Sequence, residues 1–410
     1  MKCRFCGNEL TFEFINLENS PPSNSFLTEE ELNQPEIFYP LKLFVCDKCF
    51  LIQIDEYKKS SEIFDEKYIY FSSFSKSWLN HSKNYVEMII NRFNLNKSSL
   101  VIEIASNDGY LLQYFKKNKI PNLGIEPASK TALVAREKGI DVIEDYFGIV
   151  LAQKLKSEDI NPDLIIGNNV LAHVPDINDF VKGLKILLNR KGVITMEFPH
   201  IMNLIELNQF DTIYHEHFSY FSFLTVNDIF KFHGLQIFDI ERIPTHGGSL
   251  RIYVKHKEDD SKKIIGRVKE LLGLEISKSM NKLYFYKEFQ DKANEIKYNL
   301  LDFLISNKKK GKKVIAYGAA AKGNTLLNFC GIKRDLIEFV VDLSPFKQKK
   351  YLPGSHIPVV DESKITELKP DFILILPWNI KDEIIKQLEY VKKWGCKFIL
   401  PIPTVREIKD

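Results

Sequence analysis

Residues 100–114, LVIEIASNDGYLLQY, constrain the fold of this chain more than any other stretch. The run 100–104 predicts a buried parallel strand, residues 105–109 a tight polar turn, and the following residues the first turn of a helix. At such a junction free backbone N–H groups point outward, and a charged or polar ligand can bind against them. The stretch therefore predicts an α/β domain with a ligand site at the carboxyl end of a strand.

A second strand is predicted at Asn122–Ile125, with Glu126 at its carboxyl end. An acid about 20 residues beyond the turn is placed to accept hydrogen bonds from ribose hydroxyls. Because no G-x-G-x-x-G is present, a dinucleotide is not the first choice. The pattern resembles the S-adenosylmethionine site of class I methyltransferases, and a generic nucleotide site is the alternative.

With 410 residues the chain is too long for one core, so two or three domains are expected. A net charge of +3 argues against a large nucleic-acid footprint. The sequence has no run of 18 apolar residues and no apolar signal region at its start, which predicts a cytoplasmic protein without membrane contact. We expect a monomer or a weak homo-oligomer.

Four of the six cysteines form two C-x-x-C pairs, Cys3 with Cys6 and Cys46 with Cys49. Two such knuckles can surround Zn²⁺ with four thiolates, which leaves no open coordination position. The pairs therefore predict a structural zinc ion in a module that spans residues 1–75. Two unrelated redox or buried pairs are the alternative.

The α/β alternation continues after Glu126. Strand 163–167 is followed by NNVLAHVP and strand 193–198 by Pro199-His200. If the sheet is doubly wound, the carboxyl end of the first of these strands faces the same crevice as Gly109 and Glu126. The preceding helix, 77–93, carries Trp78, Tyr85, Ile89 and Phe93 on one face, and that face is predicted to be core.

In residues 210–221, FDTIYHEHFSYF, the seven positions 214–220 hold three ionisable residues and two tyrosines. Histidine can accept a proton near neutral pH, so the segment indicates acid–base chemistry, with Glu216 and Tyr214 orienting a histidine. A metal site built from His215 and His217 and a purely structural aromatic turn are the alternatives. Further on, HGGSLR at 246–251 suits a phosphate or a sugar hydroxyl, or equally a hairpin turn.

A second strand–turn–helix–strand unit lies at 314–342, and its turn GAAAKGNT carries Lys322. The small residues suit phosphates at a helix N-terminus, with Lys322 as counter-charge. A nicotinamide dinucleotide is the alternative, although the glycine spacing does not match.

Together these segments resemble the sugar C-methyltransferases that act on nucleotide-linked keto sugars. The matching motifs are the two knuckles, the Tyr/Ser stretch at 68–75, EIASNDGYLL, NNVLAHVPD, EFPH, DTIYHEHFSYFS, HGGSLR, YGAAAKGNTLL, DLSPFKQKKYLPGSHIPV and PWN. The resemblance covers essentially the whole chain. It implies an α/β fold: two Rossmann-like doubly wound domains plus a small N-terminal zinc-binding domain.

The implied division is a zinc-binding domain at 1–75 and an S-adenosylmethionine-dependent methyltransferase domain at 76–257. A helical connector at 258–309 and a C-terminal sugar-nucleotide-binding domain at 310–410 follow. One departure from the pattern is Ala105, where methyltransferases more often carry Gly. Alanine can still allow close approach of the cofactor, because its methyl group need not face the ligand.

The resemblance also implies site residues. S-Adenosylmethionine would contact Glu103, Ala105, Ser106, Asn107, Asp108, Gly109, Glu126, Pro127, Asp145, Tyr146, Phe147 and Asn168. The substrate would contact His200, His246, Ser249, Arg251, Gly318, Lys322, Gly323, Asn324 and Lys347. His217 would be the base, supported by Glu216 and Tyr214, and His173 would stabilise an enolate oxygen. Tyr68 or Tyr70 would complete the pocket.

The implied reaction is methylation of a nucleotide-linked 4-keto deoxy sugar, by default at carbon-3, in the biosynthesis of unusual sugars. An O- or N-methyltransferase acting on another sugar nucleotide or small acceptor is the first alternative. A zinc-ribbon RNA-binding protein with a methyltransferase core and a non-catalytic scaffold are the others. The near-neutral charge opposes the former, and the crowded 214–217 segment opposes the latter.

Overall fold

A computed structural model of the chain describes residues 1–57 and 71–408. The strands of these residues are β1 (Phe12–Ser20), β2 (Tyr39–Val45), β3 (Ile52–Ile54), β4 (Val101–Ile104), β5 (Asn122–Ile125), β6 (Val142–Ile143), β7 (Leu164–Asn168), β8 (Val193–Pro199), β9 (Ser219–Tyr220), β10 (Leu235–Ile243), β11 (Ser249–His256), β12 (Val314–Tyr317), β13 (Val340–Val341), β14 (Val359–Val360), β15 (Phe372–Ile375), β16 (Lys397–Leu400) and β17 (Arg406–Glu407). The α-helices are Lys76–Phe93, Leu112–Lys117, Ser129–Glu137, Ile149–Ser157, Ile177–Leu187, Ile201–Glu206, Phe223–Phe232, Gly266–Ser277, Phe289–Lys309, Ala321–Cys330, Ser363–Leu368 and Lys381–Gln387. None of the helices in the described ranges is long and apolar enough to cross a membrane.

The central sheet has seven strands in the order β10-β11-β8-β7-β4-β5-β6. Strands β4 to β8 are parallel, and β11 runs antiparallel to β8. Every residue of β4 and β7 is buried, as expected for strands covered on both faces. The chain turns in opposite directions from β4, to β5 on one side and to β7 on the other, and ligands bind in the crevice at such a reversal.

The C-terminal sheet has the order β14-β13-β12-β15-β16-β17, and all its pairs are parallel except the last. The N-terminal sheet is antiparallel, in the order β1-β2-β3-β9. Its fourth strand, β9, comes from the histidine-rich segment of the central part of the chain. These sheets confirm the predicted α/β class, with two doubly wound sheets and a small N-terminal module.

The apolar core does not stop at the predicted domain boundaries. Buried residues of β1 share one hydrophobic cluster with the C-terminal sheet and with the helix Phe289–Lys309. This helix buries the stripe that contains Ile296 and Leu300, so the predicted connector packs as part of the C-terminal core. Cys3 and Cys46 instead pack into the core of the central sheet. The N-terminal module is thus packed against both larger sheets.

Candidate active site

A cavity of about 1250 Å³ opens at the carboxyl ends of β4, β5 and β7. Three parts of the chain line it: the loop 22–31 of the N-terminal module, the crevice of the central sheet, and residues 320–322 and 346–350 of the C-terminal part. The volume exceeds that of most single-ligand pockets, which run to about 1,000 Å³. The cavity can therefore hold two ligands, one on each sheet.

The turn after β4 forms one wall and is built from left-handed backbone. Ala105, Asn107 and Gly109 have φ values of 54°, 50° and 73°. Glu126 accepts hydrogen bonds of 2.9 Å from the backbone N–H groups of Asn107 and Ala128, one on each carboxylate oxygen. These bonds orient the carboxylate while each oxygen keeps a second lone pair for a ribose hydroxyl.

Most of the predicted cofactor residues line the cavity: Ala105, Asn107, Glu126, Pro127, Asp145, Tyr146, Phe147 and Asn168. The carboxamide of Asn168 is buried, and neither of its polar atoms is hydrogen-bonded within the described residues. A buried amide that faces a cavity with its polar atoms not fully satisfied fits the binding of a polar ligand there. The wall therefore fits a nucleoside cofactor with polar substituents.

Four other predicted cofactor residues lie behind this wall rather than on it. Glu103 is fully buried, and its burial holds the carboxyl pKa well above the ordinary value. Asp108 pairs with Lys138 at 3.2 Å. Ser106 packs so closely on Gly124 that a Cβ there would lie 2.4 Å from the serine Oγ. A Cβ on Gly109 would meet Ile140 at 2.4 Å, so the turn also needs glycine there.

The opposite side of the crevice carries a cluster of imidazoles. The ring of His217 lies 4.7 Å from that of His173 and 4.1 Å from that of Tyr214, measured between centroids. The His217 Nδ1 donates to the carbonyl oxygen of Thr212 at 3.2 Å, which assigns the proton to Nδ1 and leaves Nε2 with a lone pair. All three rings line the cavity.

The imidazoles are held in their neutral form. Burial lowers the pKa of His173 to about 4 and that of His246 to about 4. Burial, with the neighbouring His173 next, also lowers the pKa of His217 well below its ordinary value. At neutral pH the His217 Nε2 is therefore free to accept a proton.

Two neighbours of His217 in sequence have different surroundings. Glu216 is buried and faces the cavity, and the Nδ2 of Asn24 lies 2.9 Å from each of its carboxylate oxygens. His215 turns away, with its Nε2 3.3 Å from the carbonyl oxygen of Pro40 and its ring against Tyr39. The two histidines do not converge, so the alternative of a metal site on His215 and His217 has no geometric support.

The C-terminal face of the cavity carries Lys322, Lys347 and Lys350. The Lys322 Nζ bonds to Asn379 Oδ1 at 2.7 Å and lies 4.5 Å from the centroid of the Trp378 ring. The indole of Trp378 in turn donates to Asp211 at 2.6 Å. Burial raises the pKa of Asp211 to about 6. This contact joins the C-terminal part to the segment that carries the histidines.

Several predicted substrate residues lie outside the cavity lining. His200 bonds to the buried Glu275 at 2.6 Å, and the Ser249 hydroxyl donates to the Thr245 carbonyl at 2.9 Å. Arg251 is buried in ion pairs with Glu197 and Glu241. The remaining three are in the 318–324 turn: Gly318 packs on Pro377, and Gly323 and Asn324 are buried. Of this turn only Ala320, Ala321 and Lys322 reach the cavity.

Trp78, Asn169 and Asn24 are among the cavity residues that have no counterpart in the predicted site residues. Trp78, predicted as core, packs against the core cluster that contains Tyr85 and also lines the cavity, where it stacks on Tyr110 with ring centroids 5.9 Å apart. Asn169 bonds to His246 Nε2 at 3.1 Å. Asn24 comes from the proline turn of the N-terminal module. The sequence offered a signal for Asn169, because this residue adjoins Asn168 in the motif NNVLAHVPD. No local sequence signal marks Trp78 or Asn24 as cavity residues. Tyr68 and Tyr70 lie outside the described residues.

The four cysteines converge as predicted. The Sγ atoms of Cys3 and Cys49 and those of Cys6 and Cys46 lie 3.5 Å apart, and all four atoms are within 4.8 Å of one another. Thiolates at about 2.3 Å from a tetrahedral zinc ion stand at about this mutual distance. The set fits Zn²⁺ and offers no open position, so the ion would cross-link the module.

The sheet order and the acid after the second strand of the crevice fit the class that the family matches identify, the S-adenosylmethionine-dependent methyltransferases. Family models match in the same order: a putative zinc binding domain at residues 3–64, a methyltransferase domain at 79–240 and a C-methyltransferase C-terminal domain at 244–403. The chain is 31% identical over 407 residues to the C-methyltransferase NovU of Streptomyces niveus. The matched region covers 99% of this chain and 96% of that protein. The chain therefore belongs to the C-methyltransferase family, and it is an S-adenosylmethionine-dependent C-methyltransferase with a zinc-binding module.

Solved structures resemble smaller parts of the chain. A protein from Pyrococcus horikoshii OT3 is 15% identical with a TM-score of 0.38, over 46% of this chain and 95% of that one. Magnesium protoporphyrin IX methyltransferase from Synechocystis PCC 6803 is 16% identical with a TM-score of 0.35, over 43% of this chain and 82% of that one.

Proposed function

We propose that the enzyme methylates a carbon next to the ketone of a nucleotide-linked 4-keto deoxy sugar, by default carbon-3. The observation that carries the proposal is a neutral imidazole, His217, which faces a cavity shared by a cofactor crevice and a lysine-bearing wall. Carbon methylation needs a base because a C–H bond has no lone pair. An O- or N-methyltransferase acts on an atom that already has one.

In the proposed reaction the His217 Nε2 removes the α-proton, and the electron pair of the C–H bond moves into an enolate. Lys322 of the C-terminal face is close enough to interact electrostatically with His217, and His173 is placed beside His217 to donate to the enolate oxygen. The positive charge of the imidazolium formed on His217 is balanced by the negative charge of the enolate formed in the same step. A positioned base contributes about 10²–10⁴-fold, and one oxyanion donor about 10²–10³-fold.

S-Adenosylmethionine supplies the methyl group, and the residues around Ala105 and Glu126 would hold it. The Glu126 carboxylate, fixed by two backbone N–H groups, would bind the ribose hydroxyls. Asn168 would satisfy its buried carboxamide on the cofactor. Holding two reactants in reactive geometry supplies about 7–11 kcal/mol, which explains why two ligand-binding walls share one cavity.

The nucleotide of the substrate would lie against the C-terminal wall. Lys347 and Lys350 supply positive charge for a diphosphate, and Phe346, which is 45% exposed, supplies an aromatic face. Lys322 lies deeper, where its charge adds to the larger effect of burial in lowering the pKa of His217 and His246. The sugar ring would then reach the histidines while the diphosphate stays near the opening.

Mass spectrometry with a panel of nucleotide-linked keto sugars and labelled S-adenosylmethionine tests this proposal. The expected result is a labelled carbon–methyl product from a 4-keto-6-deoxy sugar. The matched control is the same sugar nucleotide with its ketone reduced to a hydroxyl, which should not react. Methylation of the reduced sugar on oxygen, or no product from any keto sugar, would contradict the proposal.

A further inference from the structure

The loop 20–28 of the N-terminal module reaches the acceptor side of the active site. It contains the turn PPSNS, in which the Ser25 N–H donates to the Pro22 carbonyl at 3.1 Å and the Phe26 N–H to the Asn24 carbonyl at 3.0 Å. The carboxamide of Asn24 faces the cavity. The turn therefore presents one amide side chain at a fixed place.

Both ends of this contact are anchored. Leu27 and Tyr351 exchange backbone hydrogen bonds of 3.0 and 2.8 Å, which tie the loop to the C-terminal part. On the other side, β3 pairs with β9, directly after the 214–217 segment, and the Ile54 N–H donates to the Phe218 carbonyl at 3.2 Å. Backbone bonds thus tie the N-terminal module both to the C-terminal part and to the chain that directly follows Glu216.

We infer that Asn24 is a positioning residue of the methyl-transfer reaction, which acts by holding the carboxylate of Glu216 beside His217. The inference rests on the proposed function. Glu216 is only 4% exposed, so bulk water compensates poorly for the loss of the hydrogen bond from Asn24. Asn24 Nδ2 lies within 2.9 Å of both carboxylate oxygens, and a bond shared in this way fixes the plane of the carboxylate.

The surroundings of Glu216 determine how the activity of a variant at position 24 depends on pH. Among the described residues, the titratable and charged groups around it or along the same cavity wall include His173, His217, Tyr214, Tyr220, Glu31, Glu56, Lys322, Lys347 and Lys350. An Asn24→Asp substitution keeps the shape of the side chain and places a second carboxyl group against Glu216. Two carboxyl groups at this distance share one proton at low pH and repel each other when both are ionised.

The test compares Asn24→Ala and Asn24→Asp with the wild-type protein, using the methyl acceptor that the wild type accepts. Asn24→Ala should lower kcat by about 10- to 100-fold, with little change in KM or in the affinity for S-adenosylmethionine, because only the geometry beside His217 changes. At pH 9 the kcat of Asn24→Asp should be as low as that of Asn24→Ala. As the pH falls to 6, its kcat relative to wild type should recover, because a protonated carboxyl group can again donate a hydrogen bond.

Asn33→Ala and Asn33→Asp are the matched controls, because Asn33 is exposed in the same module. They should match the wild type at every pH. An Asn24→Asp variant whose activity relative to wild type is the same at every pH would overturn the inference, as would full kcat in Asn24→Ala. A wild-type protein that methylates none of the keto sugars instead contradicts the proposed function, so the two failures are distinguishable.

Discussion

Replacing Trp378 by Phe tests the contact that joins the C-terminal part to the histidine segment. The substitution keeps an aromatic ring but removes the indole N–H that donates to Asp211 at 2.6 Å. Asp211 is fully buried, and its other oxygen has no hydrogen-bond partner within the described residues. The substitution should therefore lower the free energy of unfolding more at pH values where Asp211 is ionised than where it is protonated.

The pH dependence follows from the pKa of Asp211. Burial raises this pKa from 3.8 to about 6 in the folded protein. The proton bound by the folded state therefore contributes stability that is complete below pH 3.8 and is lost as the pH rises through 6. At pH 8 the carboxylate is charged and depends on its donors, whereas at pH 5 it is mostly protonated.

The magnitude comes from the type of hydrogen bond. A bond to a charged group contributes about 1.5–3 kcal/mol and a neutral bond about 0.5–1.5 kcal/mol. Trp378→Phe should then destabilise the protein by about 1–2 kcal/mol more at pH 8 than at pH 5. Urea unfolding followed by far-UV circular dichroism at both pH values measures the difference.

Trp394→Phe is the matched control in the same part of the chain. Its indole donates to the backbone carbonyl of Pro370 at 3.1 Å, and that acceptor does not titrate. The loss of stability in this variant should be the same at pH 5 and pH 8. The reasoning is refuted if Trp378→Phe shows no pH dependence, or if the control shows the same dependence.

Three further predictions concern the cofactor wall and the zinc module. Ala105→Gly should retain S-adenosylmethionine binding by calorimetry and leave the free energy of unfolding within about 1 kcal/mol, because relief of the left-handed backbone at φ 54° offsets the added flexibility of glycine. Glu126→Gln should weaken S-adenosylmethionine binding by about 10-fold or more, because hydrogen bonds to a charged acceptor are the stronger ones. Cys3→Ala should lower the bound zinc measured by atomic absorption well below one ion per chain, whereas Cys396→Ala, outside the thiolate cluster, should keep it.

The strands and turns of the crevice were predictable because their signals are local. The sequence predicts β5 at Asn122–Ile125, and the structure shows the same bounds. The four cysteines are predictable for the same reason, since a C-x-x-C pair carries its own geometry. Patterns of this kind depend on the covalent chain and need no knowledge of tertiary contacts.

The walls of the cavity were less predictable because they join distant residues. Asn24 and Glu216 are 192 positions apart, and Trp378 and Asp211 are 167 apart. Trp78 shares a helix face with the buried Tyr85, and only the position of the crevice shows that the end of this face is open. Arg251 suits a phosphate by its chemistry, but the structure supplies Glu197 as its partner.

Hydrogen–deuterium exchange at the α-carbon of the keto sugar, without S-adenosylmethionine, tests the base role of His217 most directly. The wild type should catalyse the exchange at a rate that changes little from pH 6.5 to pH 8, because the lowered pKa leaves the imidazole neutral throughout. His217→Asn should lose about 10²-fold or more of this rate while binding S-adenosylmethionine within a few-fold of wild type. A His217→Asn variant that keeps more than about a tenth of the exchange rate would exclude His217 as the base, since a positioned base contributes far more than that.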